Sequence, residues 1–205
     1  MAVFSYSLHP HRRRHGPLGY EEYQAYKPWL RDEFEFRCVF CLRRERWEAD
    51  PRANFSVDHL VPRMRAPERT CDYDNLVYSC TACNSYKREQ RLDLAPCSDA
   101  FGLHLRVRDD GITVGLTPQG AALIDKLMLN EPERVNFRSR TMRIIQALAE
   151  SADPRVAALL EEFLAYPDNL PDLQRLRPPG GNMRPQGLMD SHFARRVRGE
   201  LPLTY

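Results

Sequence analysis

Two C-x-x-C pairs, Cys38/Cys41 and Cys80/Cys83, constrain this chain more than any other feature. Each pair can turn two thiolates toward one ion, and two such knuckles brought together complete a tetrahedral sulfur shell for zinc. The 38 residues between Cys41 and Cys80 exceed the spacer of a simple zinc ribbon, so a folded insert must occupy the gap. A redox role fits less well, because neither pair is embedded in a β-α-β pattern. A disulfide scaffold belongs to small secreted chains, whereas this one has 205 residues and no export signal. Four protein sulfurs leave no open coordination position, so the expected zinc is structural. Cys71 and Cys97 are left over.

Composition narrows the classes further. A length of 205 residues allows one domain or two small ones, and a 42% hydrophobic content is enough for a core. The net charge of +2 is too small for uniform attraction of an acidic partner, so any basic patch must be local. No apolar stretch approaches the roughly 18 residues of a membrane span. The opening MAVFSYSLHPHRRRHG has no apolar region after its arginines, and the expected location is cytoplasmic, with no membrane contact.

The chain reads as four segments. Residues 1–35 form an N-terminal arm and helix. In the arm, His9, His11 and His15 with Arg12, Arg13 and Arg14 make a phosphate-touching segment or, more simply, a solvated tail. Tyr20, Tyr23, Leu30 and Phe34 then follow helical spacing, interrupted near Lys27 because Pro28 suits a helix start. Residues 36–92 hold both cysteine pairs and nearly all the unusual polar residues. Residues 93–176 form a support region. Within it, LHLRVRDDGITVGL at 103–116 alternates around Asp110-Gly111 as a hairpin, and Thr117-Pro118 opens a helix. Two more helices follow, with apolar faces Val135, Met142, Ile145, Leu148 and Val156, Leu159, Leu160, Phe163, Leu164 expected in the core. Residues 177–205 are a Pro/Gly-rich linker and a basic tail, whose RRVR at 195–198 either touches nucleic acid or solvates a helix.

The insert carries the chemistry. In Asn54-Phe55-Ser56-Val57-Asp58-His59, Phe55 and Val57 alternate as in a strand leading to an adjacent acid and imidazole. Neighbours in a regular strand point oppositely, so Asp58 and His59 converge only if the strand ends or twists there, which Pro62 favours. A helix starting near Cys83 would place Asn84, Lys87 and Arg88 on one face. These parts suit phosphodiester hydrolysis. Asp58 and Asn84 offer oxygen ligands to Mg2+, His59 is a base of near-neutral pKa, and the cations meet phosphate. Taken singly, each has a bland reading: Asp58 caps a turn, Asn84 caps a helix, and His59 is a satisfied, partly buried histidine.

Together, Cys38-x-x-Cys41, Val57-Asp58-His59-Leu60-Val61-Pro62, Asp74-Asn75-Leu76 and Cys80-x-x-Cys83-Asn84-x-x-Lys87 resemble the HNH endonuclease family, in its subtype with two zinc-binding knuckles. The resemblance covers residues 38–88. It implies an α+β protein built on a ββα-metal module, with zinc on the four cysteines, His59 as general base, and Asp58 and Asn84 on the catalytic metal. It also implies that Asn75 braces the loop that orients His59. Asparagine rather than histidine at position 84 favours Mg2+ or Mn2+ over zinc in the catalytic site. Where many relatives carry a glycine-containing loop, this chain has Arg63-Met64-Arg65-Ala66-Pro67-Glu68-Arg69. Arg63, Arg65, Lys87 and Arg88 are accordingly the expected nucleic-acid contacts. Arg43, Arg44 and Arg46 fit a solvated face equally well, because Glu45 and Glu48 alternate with them.

The implied activity is metal-dependent cleavage of DNA to a 5′-phosphate and a 3′-hydroxyl, in a defence or restriction setting. A homodimer or an activating protein partner is compatible with it. The rival is a non-catalytic zinc-ribbon module that binds nucleic acid or protein through its arginines. That module would need the cysteines but not Asp58, His59 and Asn84.

Overall fold

Helix α1 (Lys27–Glu33) starts at its proline and is preceded by a one-turn 3-10 helix, Tyr23–Tyr26, matching the expected interruption near Lys27. It buries Trp29 and Leu30 completely. The computed structural model describes residues 3–205. It divides the chain into two units, one made of Arg12–Arg91 and Tyr166–Pro202, the other of the residues up to His11, Leu92–Ala165 and Leu203–Tyr205. Eight α-helices and two small antiparallel sheets are present among the described residues, which is the expected α+β class.

In the first unit, α1 is followed by the first cysteine knuckle, the short helix α2 (Pro51–Asn54), strand β1 (Phe55–His59), strand β2 (Leu76–Cys80) and helix α3 (Thr81–Lys87). β1 and β2 pair antiparallel with Phe55 opposite Cys80 and His59 opposite Leu76. Phe55 stacks on Tyr78, with ring centroids 5.1 Å apart. The core of this unit is Trp29, Leu30, Phe36, Phe40, Phe55, Leu76 and Tyr78, all at most 1% exposed. This is the ββα order, with α1 packed against its sheet.

The basic arm is not a solvated tail. His15 is fully buried, and its Nε2 lies 2.7 Å from Asp32 Oδ2. Asp32 Oδ1 accepts from the His192 backbone N–H (2.8 Å) and faces His192 Nδ1 (2.9 Å), at the start of a C-terminal helix, His192–Val197. The Glu33 carboxylate accepts from the backbone N–H groups of Arg14 and His15 and from the Tyr73 hydroxyl. The Arg13 guanidinium lies between the Phe34 and Tyr73 rings, 5.1 and 4.9 Å from their centroids. Two buried carboxylates on α1 demand partners, and the arm supplies them. Burial alone would raise the Asp32 carboxyl, but the hydrogen bonds from His15 and His192 reverse this and hold it well below the ordinary carboxylate range.

The stretch from Arg177 to Gly187, whose composition reads as a linker, pairs with the arm instead. Leu18 N–H donates to the Gly181 carbonyl and Gly180 N–H to the Leu18 carbonyl, both at 2.9 Å. Gly187 is required here, since a Cβ would collide with the Arg14 carbonyl. In the basic tail, Arg196 donates to the carbonyls of Pro167 and Asp168, and Arg198 to that of Met189 and to the Glu200 carboxylate. These arginines fasten their own segment.

The second unit holds a one-turn helix α4 (Phe101–His104), the expected hairpin as β3 (Leu105–Val107) and β4 (Thr113–Gly115), and helices α5 (Pro118–Lys126), α6 (Pro132–Ala149) and α7 (Pro154–Leu164). Thr117 Oγ1 caps α5 by accepting from Gly120 N–H at 3.1 Å. The apolar faces expected in the core of α6 and α7 are only partly covered. Ile145 and Leu164 are buried, but Leu159 is 54% exposed. The buried face of α6 is instead Arg134, Arg138, Thr141 and Ile145. Arg134 donates to the Leu127 carbonyl, and Arg138 to those of Gly111 and Leu129, so their charge caps the end of α5 and the hairpin turn. No helix among the described residues is long and apolar enough to cross a membrane.

Candidate zinc site and active-site cleft

The two knuckles meet as their spacing requires. In the first, Leu42 adopts a left-handed φ of 60° and its N–H returns to the Cys38 carbonyl at 2.9 Å, curling Cys38 and Cys41 to one side. In the second, Cys80 ends β2 and caps α3 through its sulfur, which accepts from Cys83 N–H at 3.4 Å. All four sulfurs lie within 4.8 Å of one another. The Cys41 and Cys80 sulfurs are 3.6 Å apart, close to the edge of about 3.8 Å in a tetrahedron with metal–sulfur bonds of about 2.3 Å. Burial, and then the neighbouring thiols, push Cys38 and Cys83 well above the ordinary thiol value. Only a cation makes four thiolates tenable there, and the donor set fits a structural zinc ion.

One helical turn on, α3 contributes to a cleft of about 90 Å³, lined by Tyr23, Asp58, His59, Arg63, Asn84 and Arg88 among others. That volume holds a few waters or their replacements. β1 ends at His59, and the Asp58 carboxylate folds over the strand end, where Oδ1 accepts from the His59 N–H at 2.7 Å. Oδ1 also accepts from Lys87 Nζ at 3.1 Å. Asp58 is 4% exposed, and its Oδ2 has no hydrogen-bond partner among the described residues. A buried carboxylate oxygen left in this way is costly unless something cationic binds it. Burial raises the Asp58 carboxyl above its ordinary value, against the pull of the Lys87 ammonium.

His59 Nε2 lies 2.9 Å from the Thr70 carbonyl. A carbonyl only accepts, so Nε2 carries the proton and Nδ1 keeps its lone pair. Burial lowers the imidazole below its ordinary value, and the positive charges of Arg63 and Lys87 add to the effect. Both effects favour the neutral ring, the form that a general base requires. Asn84 donates through Nδ2 to Ser56 Oγ at 3.0 Å, which leaves Oδ1 for a cation.

The sequence-predicted residues do not all converge. Asp58, His59, Asn84, Arg63, Lys87 and Arg88 share the cleft. Arg65 is exposed outside its lining. Asn75 is fully buried behind it, where its side chain bonds both the N–H and the carbonyl of Val61 and the Arg69 carbonyl, pinning the loop after β1. Lys87 requires a correction. Expected to meet nucleic acid, it is 1% exposed, and its ammonium donates to Asp58 Oδ1 and to the His59 carbonyl (2.6 Å), because two acceptors at the strand end need a buried cation. Arg88 leaves the helical face, at φ 49° just past the end of α3. Sequence reasoning missed Tyr23, Thr70 and Ser56. Each acts through a ring face, a main-chain carbonyl or a hydroxyl, features that leave no motif. A larger cavity of about 580 Å³ lies beside α1, but its Arg31 and Glu45 are paired with each other and its Lys27 with main-chain carbonyls.

Residues 38–90 match the family model described as HNH endonuclease. Over these residues the chain is similar to the HNH endonuclease family. The matched residues run from the first zinc knuckle to just past the end of α3, so they enclose the four cysteines, Asp58, His59 and Asn84. No curated protein matches the chain. The HNH domain supports a nuclease-type function and interaction with nucleic acid.

Proposed function

We propose that this protein is a metal-dependent endonuclease acting on DNA, with the cleft around His59 as its active site. One observation carries the reading: a buried Asp58 oxygen without a partner beside an imidazole whose proton is held on Nε2. Asp58 Oδ2 and Asn84 Oδ1 would hold Mg2+ or Mn2+, which supplies Lewis-acid stabilisation of charge on the leaving oxygen. His59 Nδ1 takes a proton from water as the water oxygen attacks phosphorus. The P–O3′ bond breaks, and the 3′ oxygen takes a proton from solvent water, giving a 5′-phosphate and a 3′-hydroxyl. Arg63 and Arg88 neutralise phosphate charge, and Asn75 positions the loop behind His59.

The test is relaxation of supercoiled plasmid by wild type and His59→Ala, with Mg2+, Mn2+ or EDTA and at matched zinc content. Wild type is expected to cut only with the divalent ion, and His59→Ala to lose cleavage by at least a hundredfold, roughly the contribution of a general base. Asp58→Ala and Asn84→Ala should raise the Mg2+ concentration needed for half-maximal cutting. Cleavage at the wild-type rate by His59→Ala would overturn the base assignment. Absence of cutting by fully zinc-loaded wild type would instead favour a zinc module that only binds.

A further inference from the structure

The residues matched to the HNH family begin at Cys38, yet one wall of the cleft comes from earlier in the chain. The Tyr23 ring meets the His59 imidazole with centroids 4.8 Å apart and planes at 65°. The Arg63 guanidinium lies 5.1 Å from the centroid of the same Tyr23 ring. Arg63 and His59 thus both contact the Tyr23 ring, and all three line the cleft. We infer that Tyr23 is a positioning residue: it holds the His59 imidazole against the Thr70 carbonyl and serves as the platform that presents Arg63 to the scissile phosphate.

The placement of Tyr23 is built in. In a 3-10 helix, residues three apart eclipse one another, and here Tyr26, 1% exposed, anchors the turn through edge contacts with Tyr20 (4.9 Å) and a tilted contact with Tyr73 (5.7 Å). Cys71 Sγ donates to the Glu21 carbonyl at 3.0 Å, tying this segment to the loop whose Thr70 carbonyl accepts the hydrogen bond from His59 Nε2. The imidazole is therefore held from two directions, by a hydrogen bond at its Nε2 edge and by an aromatic ring. An aromatic ring that is edge-on to one neighbour and face-on to a cation satisfies both. Arg63 is exposed, so its remaining donors can meet a phosphate oxygen.

The role of Arg63 rests on the nuclease reading; the hold on His59 does not. Long-range proton–nitrogen spectra of protein labelled at its six histidines, with His59 assigned from His59→Ala, report the tautomer directly without any cleavage. Wild type should show His59 as the single Nε2–H form in its neutral state. Tyr23→Leu should mix the two tautomers and lower kcat by about three- to tenfold, the size of one aromatic contact, with a smaller change in KM. Tyr23→Phe, which keeps the ring, should recover the single tautomer and most of kcat. Arg63→Ala should raise KM for DNA and leave the tautomer alone. Should Tyr23→Leu not fold, Tyr23→Gln replaces it in the same comparison. A single Nε2–H tautomer and wild-type kcat in Tyr23→Leu would overturn the proposal. If wild type fails to cut, the spectra still decide the hold on His59, and the failure counts against the nuclease reading and the presentation of Arg63.

Discussion

At the scale of single residues, the site depends on what happens to charge where β1 stops. Asp58, the His59 carbonyl and the Lys87 ammonium form a small buried cluster, and only Asp58 Oδ2 is left over. Lys87→Met removes the internal cation and leaves a buried carboxylate without compensation, which should destabilise the protein by about 3 kcal/mol in urea unfolding. A buried ammonium releases no counterions from DNA, so Lys87 variants that remain folded should keep the wild-type dependence of DNA affinity on salt. Arg63→Ala and Arg88→Ala should each reduce that slope by about one, as loss of a phosphate contact does. A Lys87 variant with a flattened slope would return this side chain to the interface. The sequence marks Asp58, His59 and Asn84 because their chemistry is unusual side by side. It does not separate Lys87 from Arg88, since a lysine one turn from an asparagine reads the same whether it faces DNA or a buried carboxylate.

At the scale of elements, a zinc ion on the four cysteines would take the place of core volume. β1 and β2 are five residues each and α3 is seven, too little to hold together alone, and the knuckles clamp both ends of the insert. Cys38→Ser and Cys80→Ser should each release zinc and unfold this module, and a strong chelator should lower the melting temperature of wild type. Stable, soluble, zinc-free variants would contradict the structural role. The elements most legible in the sequence were those with local punctuation: the Thr117-Pro118 cap, the Asp110-Gly111 hairpin and the Pro28 helix start. The buried face of α6 was not legible. Arg134 and Arg138 occupy it because carbonyls at the end of α5 and in the hairpin turn need donors, and an apolar-periodicity reading assigns arginines to water. The arm failed for the same reason, since Asp32 and Glu33 look solvent-facing until α1 is seen to bury them.

At the scale of the whole molecule, the Asp32 cluster joins three distant stretches of one unit: the arm at His15, α1, and the helix at His192. The Asp32 carboxyl is held below its unfolded value, so its contribution to stability is complete above about pH 4 and is lost as pH falls through the depressed folded value. Asp32→Asn should cost about 3 kcal/mol at neutral pH and flatten the acid limb of the stability curve. An acid limb unchanged from wild type would remove Asp32 from this role. The division of the chain has a further consequence. The polypeptide passes between its two units four times, after His11, Arg91, Ala165 and Pro202. During synthesis, all of residues 38–90 emerges roughly a hundred residues before His192 does. A ribosome carrying the finished HNH segment therefore carries an Asp32 still missing one of its two histidines. The unit that bears the cleft is completed only about a hundred residues after its own motif has been made.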